Sequence, residues 1–151
     1  YALVVNPDWQ DTRGQNLASK FRWEYRIGDP LRDRPDVEGW IVSPPRIGTR
    51  DPLVIEFDRP FDRVQLTYAI AIYDMDGALL GGSVDVGDHE TAWQFTPSKT
   101  WAEAQVTITV DALLEDVAGN NFREALDHDV GTPELDLDDI PITVDLRTVS
   151  P

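Results

Sequence analysis

Short segments in which apolar and polar residues alternate run through the chain, and this period of two is the feature that most constrains the fold. No long window shows the spacing of an amphipathic helix. The alternating segments are LVIEF at 53–57, VTITV at 106–110, ITVDL at 142–146, FRWEYRI at 21–27, TYAIAIYD at 67–74, GSVDV at 82–86 and TAWQF at 91–95. Such segments are typical of half-buried antiparallel strands. The turn signals between them favour an all-β sandwich over a barrel.

Turn-forming and charged residues mark the connections between these strands. Asp76 and Gly77 supply the positive φ of a tight turn, so we expect a hairpin between the strands at 67–74 and 82–86. Residues 28–38 combine glycine, proline and charge, which predicts a linker. The prolines of SPPR suit an edge strand. Residues 124–139 hold seven acidic side chains and no lysine or arginine, which is typical of a solvated loop.

The sequence repeats itself weakly at a spacing of 105 residues. YALVVNPDWQDTRGQNL at 1–17 aligns with VTITVDALLEDVAGNNF at 106–122, so that Asp11 matches Asp116 and Gly14 matches Gly119. Both copies have the same order of strand, acidic turn, glycine and apolar return. The aspartate can accept hydrogen bonds from the turn amides, and the glycine supplies a left-handed residue.

The spacing equals the size of one sandwich domain, which indicates tandem copies of one module. Residues 1–27 are then the closing strands of a preceding copy, which add an extra N-terminal strand pair to the chain. Because an isolated hairpin is marginal in water, we expect this pair to dock on the complete domain, to pair with another chain or to complete a preceding domain. Residues 28–38 form the linker. Residues 39–150 make up one complete copy, with its final strand expected at 140–147.

Two stretches resemble bacterial Ig-like domains of the S-layer protein type. SPPRIGTRDPLVIEFDRPFD at 43–62 is similar to the opening of that family, with a proline-led edge strand and an acidic corner after a strand that ends in Phe. QFTPSKTWAEAQVTITVDALLEDVAGNNF at 94–122 is similar to its closing half. The resemblance implies an Ig-like antiparallel β-sandwich that serves as a surface or spacer module. After Phe122 the sequence is longer and more acidic than the family pattern.

Charge is distributed unevenly along the 151 residues, whose net charge is −15. Residues 1–63 hold 10 Lys or Arg against 11 Asp or Glu, whereas the remainder holds 3 against 17. A field of this sign repels nucleic-acid phosphates and anionic lipid, and no apolar run is long enough to span a bilayer. We therefore expect no nucleic-acid partner and no membrane insertion. The acidic part would attract a cation or a basic partner, or serve solubility alone.

One turn offers a candidate metal site, and the sequence contains no catalytic motif. Glu115, Asp116 and Asn120 place oxygen ligands of the kind that calcium prefers at one turn, although capping of its own turn is also a sufficient role for Asp116. Calcium is the one cofactor that these residues suggest. His89 and His128 lie in acidic loops, where we expect solvated side chains. No nucleophile elbow and no phosphate-binding loop is present.

Five tryptophans allow two interpretations. Trp23 and Trp93 lie in strand segments, where core packing explains them, and Trp101 is expected to cover the end of the sandwich. An exposed set of tryptophans would instead be a platform for stacking sugars.

Together these features predict a non-catalytic spacer, structural or adhesion module of a larger exported or cell-surface bacterial protein, outside the cytoplasm. We expect its partners to be neighbouring Ig-like repeats or another surface protein. The alternative is a calcium- or carbohydrate-binding β-sandwich module that is accessory to a secreted enzyme.

Overall fold

The chain forms two compact units, Tyr1–Pro30 and Leu31–Pro151. The structure is a computed structural model that describes residues 1–102, 104–127 and 133–147. The described part is built from antiparallel strands, which confirms the all-β prediction. The strands are β1 Ala2–Val5, β2 Phe21–Glu24, β3 Ile41–Ser43, β4 Leu53–Glu56, β5 Ile70–Tyr73, β6 Gly82–Val86, β7 Ala92–Pro97, β8 Gln105–Asp111 and β9 Asp139–Asp145.

The second unit is a sandwich of two antiparallel sheets. One sheet has four strands in the order β3-β4-β7-β6, and the other has three in the order β5-β8-β9. Isolated bridges add to these sheets, among them a parallel bridge between Arg46 and Arg147. The strand β3 lies at the edge of its sheet next to Pro44 and Pro45, as the prolines predict, since an edge strand need not donate every ladder hydrogen bond.

The core lies between the two sheets and follows from the alternation. Every second residue of β4, β7 and β8 points inward and is buried, whereas the residues between them are half-buried or exposed. Both sheets contribute to a single apolar cluster, which also includes residues of the loops. Its members from β4, β5, β7 and β8 are Leu53, Ile55, Ile70, Ile72, Trp93, Phe95, Val106, Ile108 and Val110.

The connection between β5 and β6 differs from the prediction. Asp76 and Gly77 do lie in a tight turn, with Gly77 at φ 79°, and Tyr73 bridges Leu79 across it. The two strands nevertheless belong to different sheets, so the expected β5–β6 hairpin is wrong. After the single bridge between Tyr73 and Leu79, the chain leaves the sheet of β5 and enters the four-stranded sheet as β6. Alternation and turn residues are local signals, and neither specifies which sheet the next strand joins.

The last strand and the acidic loop lie close to their expected positions. The strand β9 spans Asp139–Asp145, two residues shorter at its end than the predicted 140–147. Residues 133–139 of the loop are exposed to solvent. His128 lies outside the described residues.

The first unit contains one two-stranded antiparallel sheet, formed by β1 and β2. Its apolar side chains are largely exposed. Trp23 was expected in a core but is 60% exposed, because no second sheet covers it within this unit. By contrast Trp93 and Trp101 are buried as predicted.

The helices of the described residues are three single 3-10 turns at Val37–Gly39, Gln65–Thr67 and Asp88–Glu90. In this part of the chain, therefore, no helix has the length or the apolar character to cross a bilayer.

Candidate functional site

Two acidic motifs that are far apart in sequence meet at the end of the sandwich where β4 and β8 terminate. The first is FDRPFD at 57–62, and the second contains the turn at 116–120. The amide of Asp62 donates to the carbonyl of Glu115 at 2.8 Å, and the amide of Val117 donates to the carbonyl of Pro60 at 3.2 Å. The rings of Phe61 and Phe122 stack with centroids 6.1 Å apart beneath these contacts. The two motifs thus form one packed loop surface.

The turn at 116–120 is organised by Asp116. Its Oδ1 accepts hydrogen bonds from the amides of Ala118 at 2.8 Å and Asn120 at 3.0 Å. Its backbone pairs with the carbonyl of Asn120, and its carbonyl accepts from Gly119, which has φ 84°. The side-chain amide of Asn120 donates to both carboxylate oxygens. We call this arrangement, in which an aspartate caps a five-residue turn whose fourth residue is a left-handed glycine, an Asp-Gly corner.

The same Asp-Gly corner occurs at residues 11–15 and 74–78. Oδ1 of Asp11 accepts from the amides two and four residues onward at 2.8 and 2.9 Å, and Gly14 has φ 78°. Oδ1 of Asp74 accepts the equivalent bonds at 3.0 and 2.7 Å, before Gly77. The third corner was missed in the sequence, although Asp-x-x-Gly is the shared signal in DTRG, DMDG and DVAG. The geometry is therefore local and is encoded by two residues.

The buried carboxylate of Asp116 also pairs with Arg59. The Nη1 of Arg59 lies 3.3 Å from Oδ2 of Asp116, whose side chain is fully buried. The Nη2 of Arg59 donates to Asp33 at 2.7 Å, and Nη1 donates to the carbonyl of Asp33 at 3.1 Å. Asp58 lies 3.5 Å from Nε of Arg59. Arg59 thus joins three carboxylates, and sequence reasoning did not single it out because nothing local identifies its partners.

The pKa values at this network follow from its contacts. Burial acts to lower the pKa of Arg59, but its hydrogen bonds to Asp33 and Asp116 and its carboxylate neighbours raise that pKa above the ordinary value. The hydrogen bond and the positive charge of Arg59 lower the pKa of Asp33. Arg59 therefore stays protonated, and the ion pair with Asp33 persists at any pH near neutrality.

The network also holds residues 31–36, which belong to the second unit although they lie within the linker predicted at 28–38. Besides the two bonds from Arg59 to Asp33, the side-chain amide of Asn120 donates to the carbonyl of Leu31 at 3.3 Å. The guanidinium of Arg34 donates to the carbonyl of Arg123 at 3.3 Å, and Pro35 is buried. This segment is fixed against the loop end of the sandwich.

Only two of the three candidate calcium ligands are in contact. Asp116 and Asn120 bond to each other, whereas the side chain of Glu115 is exposed. Both oxygens of Asp116 accept hydrogen bonds, and a cation bound there would have to displace Arg59. Among the described residues, no group of three or more His, Asp or Glu side chains is arranged to hold a metal ion. Calcium binding remains a prediction.

A cleft of about 890 Å³ lies between residues 32–37 and the loop residues on either side of 128–132. Two of its three lining arginines pair with nearby carboxylates. Arg32 lies 3.2 Å from Asp127, and Arg123 lies 3.0 Å from Asp138. The lining carries five carboxylates against three arginines, which disfavours an anionic ligand.

The left-handed glycine of the buried corner is open to a direct test. Gly119→Ala should lower the free energy of unfolding by about 1 to 2 kcal/mol, because alanine is strained at positive φ. The new Cβ would lie 2.9 Å from the tip of the exposed Leu126, which can move aside. Gly39→Ala is the control, since its φ is not in the left-handed region and its Cβ would meet Asp58 at an ordinary 3.4 Å. Urea unfolding measures both, and equal costs would contradict the strain argument.

Comparison with known proteins finds no family model that matches this chain and no curated protein similar to it in sequence.

Proposed function

We propose that the chain is a non-catalytic, Ig-like structural module, a spacer or adhesive stalk, of a larger bacterial protein exported to the cell surface. Its partners are neighbouring repeats of the same kind or another surface protein.

One observation carries this proposal, the strand order of the second unit. If β3 to β9 are lettered A to G, the two sheets read A-B-E-D and C-F-G. This is the strand order of constant-type immunoglobulin domains. The chain has no cysteine for the disulfide that links strands B and F in antibody domains, and Ile55 and Ile108 of these strands are fully buried instead.

The polar chemistry of the loop end supports a structural role. The buried carboxylate of Asp116 is bonded to its own turn and to Arg59, so its bonding capacity is used within the fold. Arg59 also holds residues 31–36 through Asp33. Because ion pairs hold residues 31–36 against the sandwich, this segment has a fixed position on the module. A fixed connecting segment is what a spacer requires.

A ligand titration separates the spacer from a calcium- or glycan-binding module. A ligand of the native state at 100 times its Kd would stabilise it by about 2.7 kcal/mol and raise Tm by about 10 °C. For a spacer we expect a Tm change below about 1 °C with millimolar calcium or with cell-wall oligosaccharides. Scanning calorimetry gives the answer, with magnesium and a non-wall sugar as controls. A saturable rise with either ligand would replace the spacer proposal with the binding module.

Surface display can be tested on intact cells that produce the protein. Antibodies against residues 31–151 should label unpermeabilised cells, while antibodies against a cytoplasmic protein of the same cells should not. Labelling only after permeabilisation would contradict export.

A further inference from the structure

The sheet of the first unit has one apolar face and one charged face. Because Leu3 lies opposite Trp23 and Val5 opposite Phe21, these four side chains share a face. Tyr1 and Tyr25 extend it, with stacked rings 6.1 Å apart. None of the six carries a charge. The other face bears the ion pair of Arg22 and Glu24, at 2.6 Å.

The apolar face corresponds, residue by residue, to an inner face of the complete sandwich. The spacing of 105 that superposes the corners takes Tyr1, Leu3 and Val5 to Val106, Ile108 and Val110 of β8. All three are at most 1% exposed. Their partners on β9 are Val144, Ile142 and Ile140, in the same order in which Tyr25, Trp23 and Phe21 face β1. The pair β1–β2 is thus the counterpart of β8–β9.

In the second unit the pair β8–β9 contacts two further elements, the four-stranded sheet on its inner face and β5 at its edge. The four-stranded sheet covers the inner face with Leu53, Ile55, Trp93 and Phe95, which lie in the same apolar cluster as Ile108. The strand β5 pairs with the edge of β8 that β9 leaves open. Both elements precede β8 in sequence.

We propose that the face of β1–β2 is the inner face of a second sandwich, completed by strands equivalent to β3–β7 that precede Tyr1 in a longer polypeptide. The inference rests on the proposed function, which makes the chain part of a tandem array, and it identifies the neighbour and the residues that meet it. A two-stranded sheet is marginal in water by itself, so this face requires cover. An uncharged face of aromatic and aliphatic side chains is buried by an apolar surface. In the second unit the surface that buries the equivalent face of β8–β9 is the four-stranded sheet.

The free edge of β1 gives the first test. The amide of Tyr25 donates to the carbonyl of Tyr1, and the nitrogen of Tyr1 donates to the carbonyl of Tyr25. Because hydrogen bonding alternates along a strand, the amides of Ala2 and Val4 point to the opposite edge. There they would donate to the carbonyls of a β5-like strand. In the polypeptide extended by its own preceding residues, about 100 for one sandwich, hydrogen exchange at Ala2 and Val4 should slow by at least ~100-fold relative to residues 1–151.

A matched pair of variants in the extended polypeptide gives the second test. Leu3→Glu places a charge on the inner face, and Val4→Glu places the same charge on the opposite face one residue along. Calorimetry should show two transitions, one for each sandwich. We expect Leu3→Glu to remove the first transition or lower its Tm by more than about 10 °C, and Val4→Glu to lower it by less than about 2 °C. Neither should change the transition of residues 31–151.

Three results would overturn the inference. These are equal effects of the two variants, rapid exchange at Ala2 and Val4 in the extended polypeptide, and a concentration-dependent dimer of that polypeptide that Leu3→Glu dissociates, which would assign the face to a second copy. A failure of surface labelling would leave the variant contrast intact, so the failure of the proposed function is distinguishable from the failure of this inference.

Discussion

Asp116→Ala should lower the free energy of unfolding of the second unit by about 3 to 5 kcal/mol, which is the typical cost of removing one partner from a buried ion pair. The carboxylate is fully buried and lies 3.3 Å from Arg59, whose side chain is only 13% exposed. The substitution removes the acceptor for two backbone amides and for the side chain of Asn120. It also leaves Arg59 paired only with carboxylates at the surface. Guanidinium unfolding of residues 1–151 measures the loss.

Asp74→Ala is the matched control for this prediction. Asp74 caps an equivalent Asp-Gly corner in the same unit, but this corner is more exposed, and within the described residues no arginine forms an ion pair with Asp74. We expect a loss of about 1 kcal/mol, the typical contribution of hydrogen bonds of this kind. Similar losses for Asp116→Ala and Asp74→Ala would show that burial and Arg59 add nothing to the corner.

Trp93→Ala should destabilise the second unit by about 3 to 5 kcal/mol, the range for deleting a large aromatic side chain from a core. Trp93 is 1% exposed and stacks on Phe95 with ring centroids 6.1 Å apart. Its Nε1 donates to the carbonyl of Leu66 at 3.0 Å, so the substitution also leaves that carbonyl unpaired. Thermal unfolding monitored by circular dichroism reports the change.

Tyr68→Ala is the control for the core substitution. Tyr68 is an aromatic residue of the same unit that is 66% exposed, and we expect its loss to change stability by no more than about 0.5 kcal/mol. If Trp93→Ala cost no more than Tyr68→Ala, Trp93 would not lie in the core between the two sheets.

Local signals in the sequence predict most of the strands. In β4, β7 and β8 the alternation identifies both the strand and the buried face, because a strand with one face in the core needs apolar side chains at every second position. The Asp-Gly corners are also predictable, because their contacts lie within a few residues. Asp11 and Asp116 need only the amides of the next four residues, and Gly14 and Gly119 need only a backbone without Cβ.

The candidate site was much less accessible to sequence reasoning. The sequence identifies the turn at 116–120 and suggests both turn capping and calcium ligation for Asp116, but it does not indicate that Asp116 lies against Arg59. Arg59 follows β4, and Asp33 lies in the segment for which the sequence predicts a linker. Asp116 follows Arg59 by 57 positions and Asp33 by 83 positions. No short-range pattern links residues so far apart, and only folding brings their charges together.

The sequence by itself determined where the strands lie, which of their faces are apolar and where the left-handed glycines stand, because these depend on residues within a few positions of one another. Only the tertiary structure decided which strands share a sheet and which apolar residues are buried. Trp23 and Trp93 occupy similar alternating segments, yet one is exposed and the other is in the core. Burial depends on the layer that lies across from a strand, and in the first unit the described residues do not include that layer.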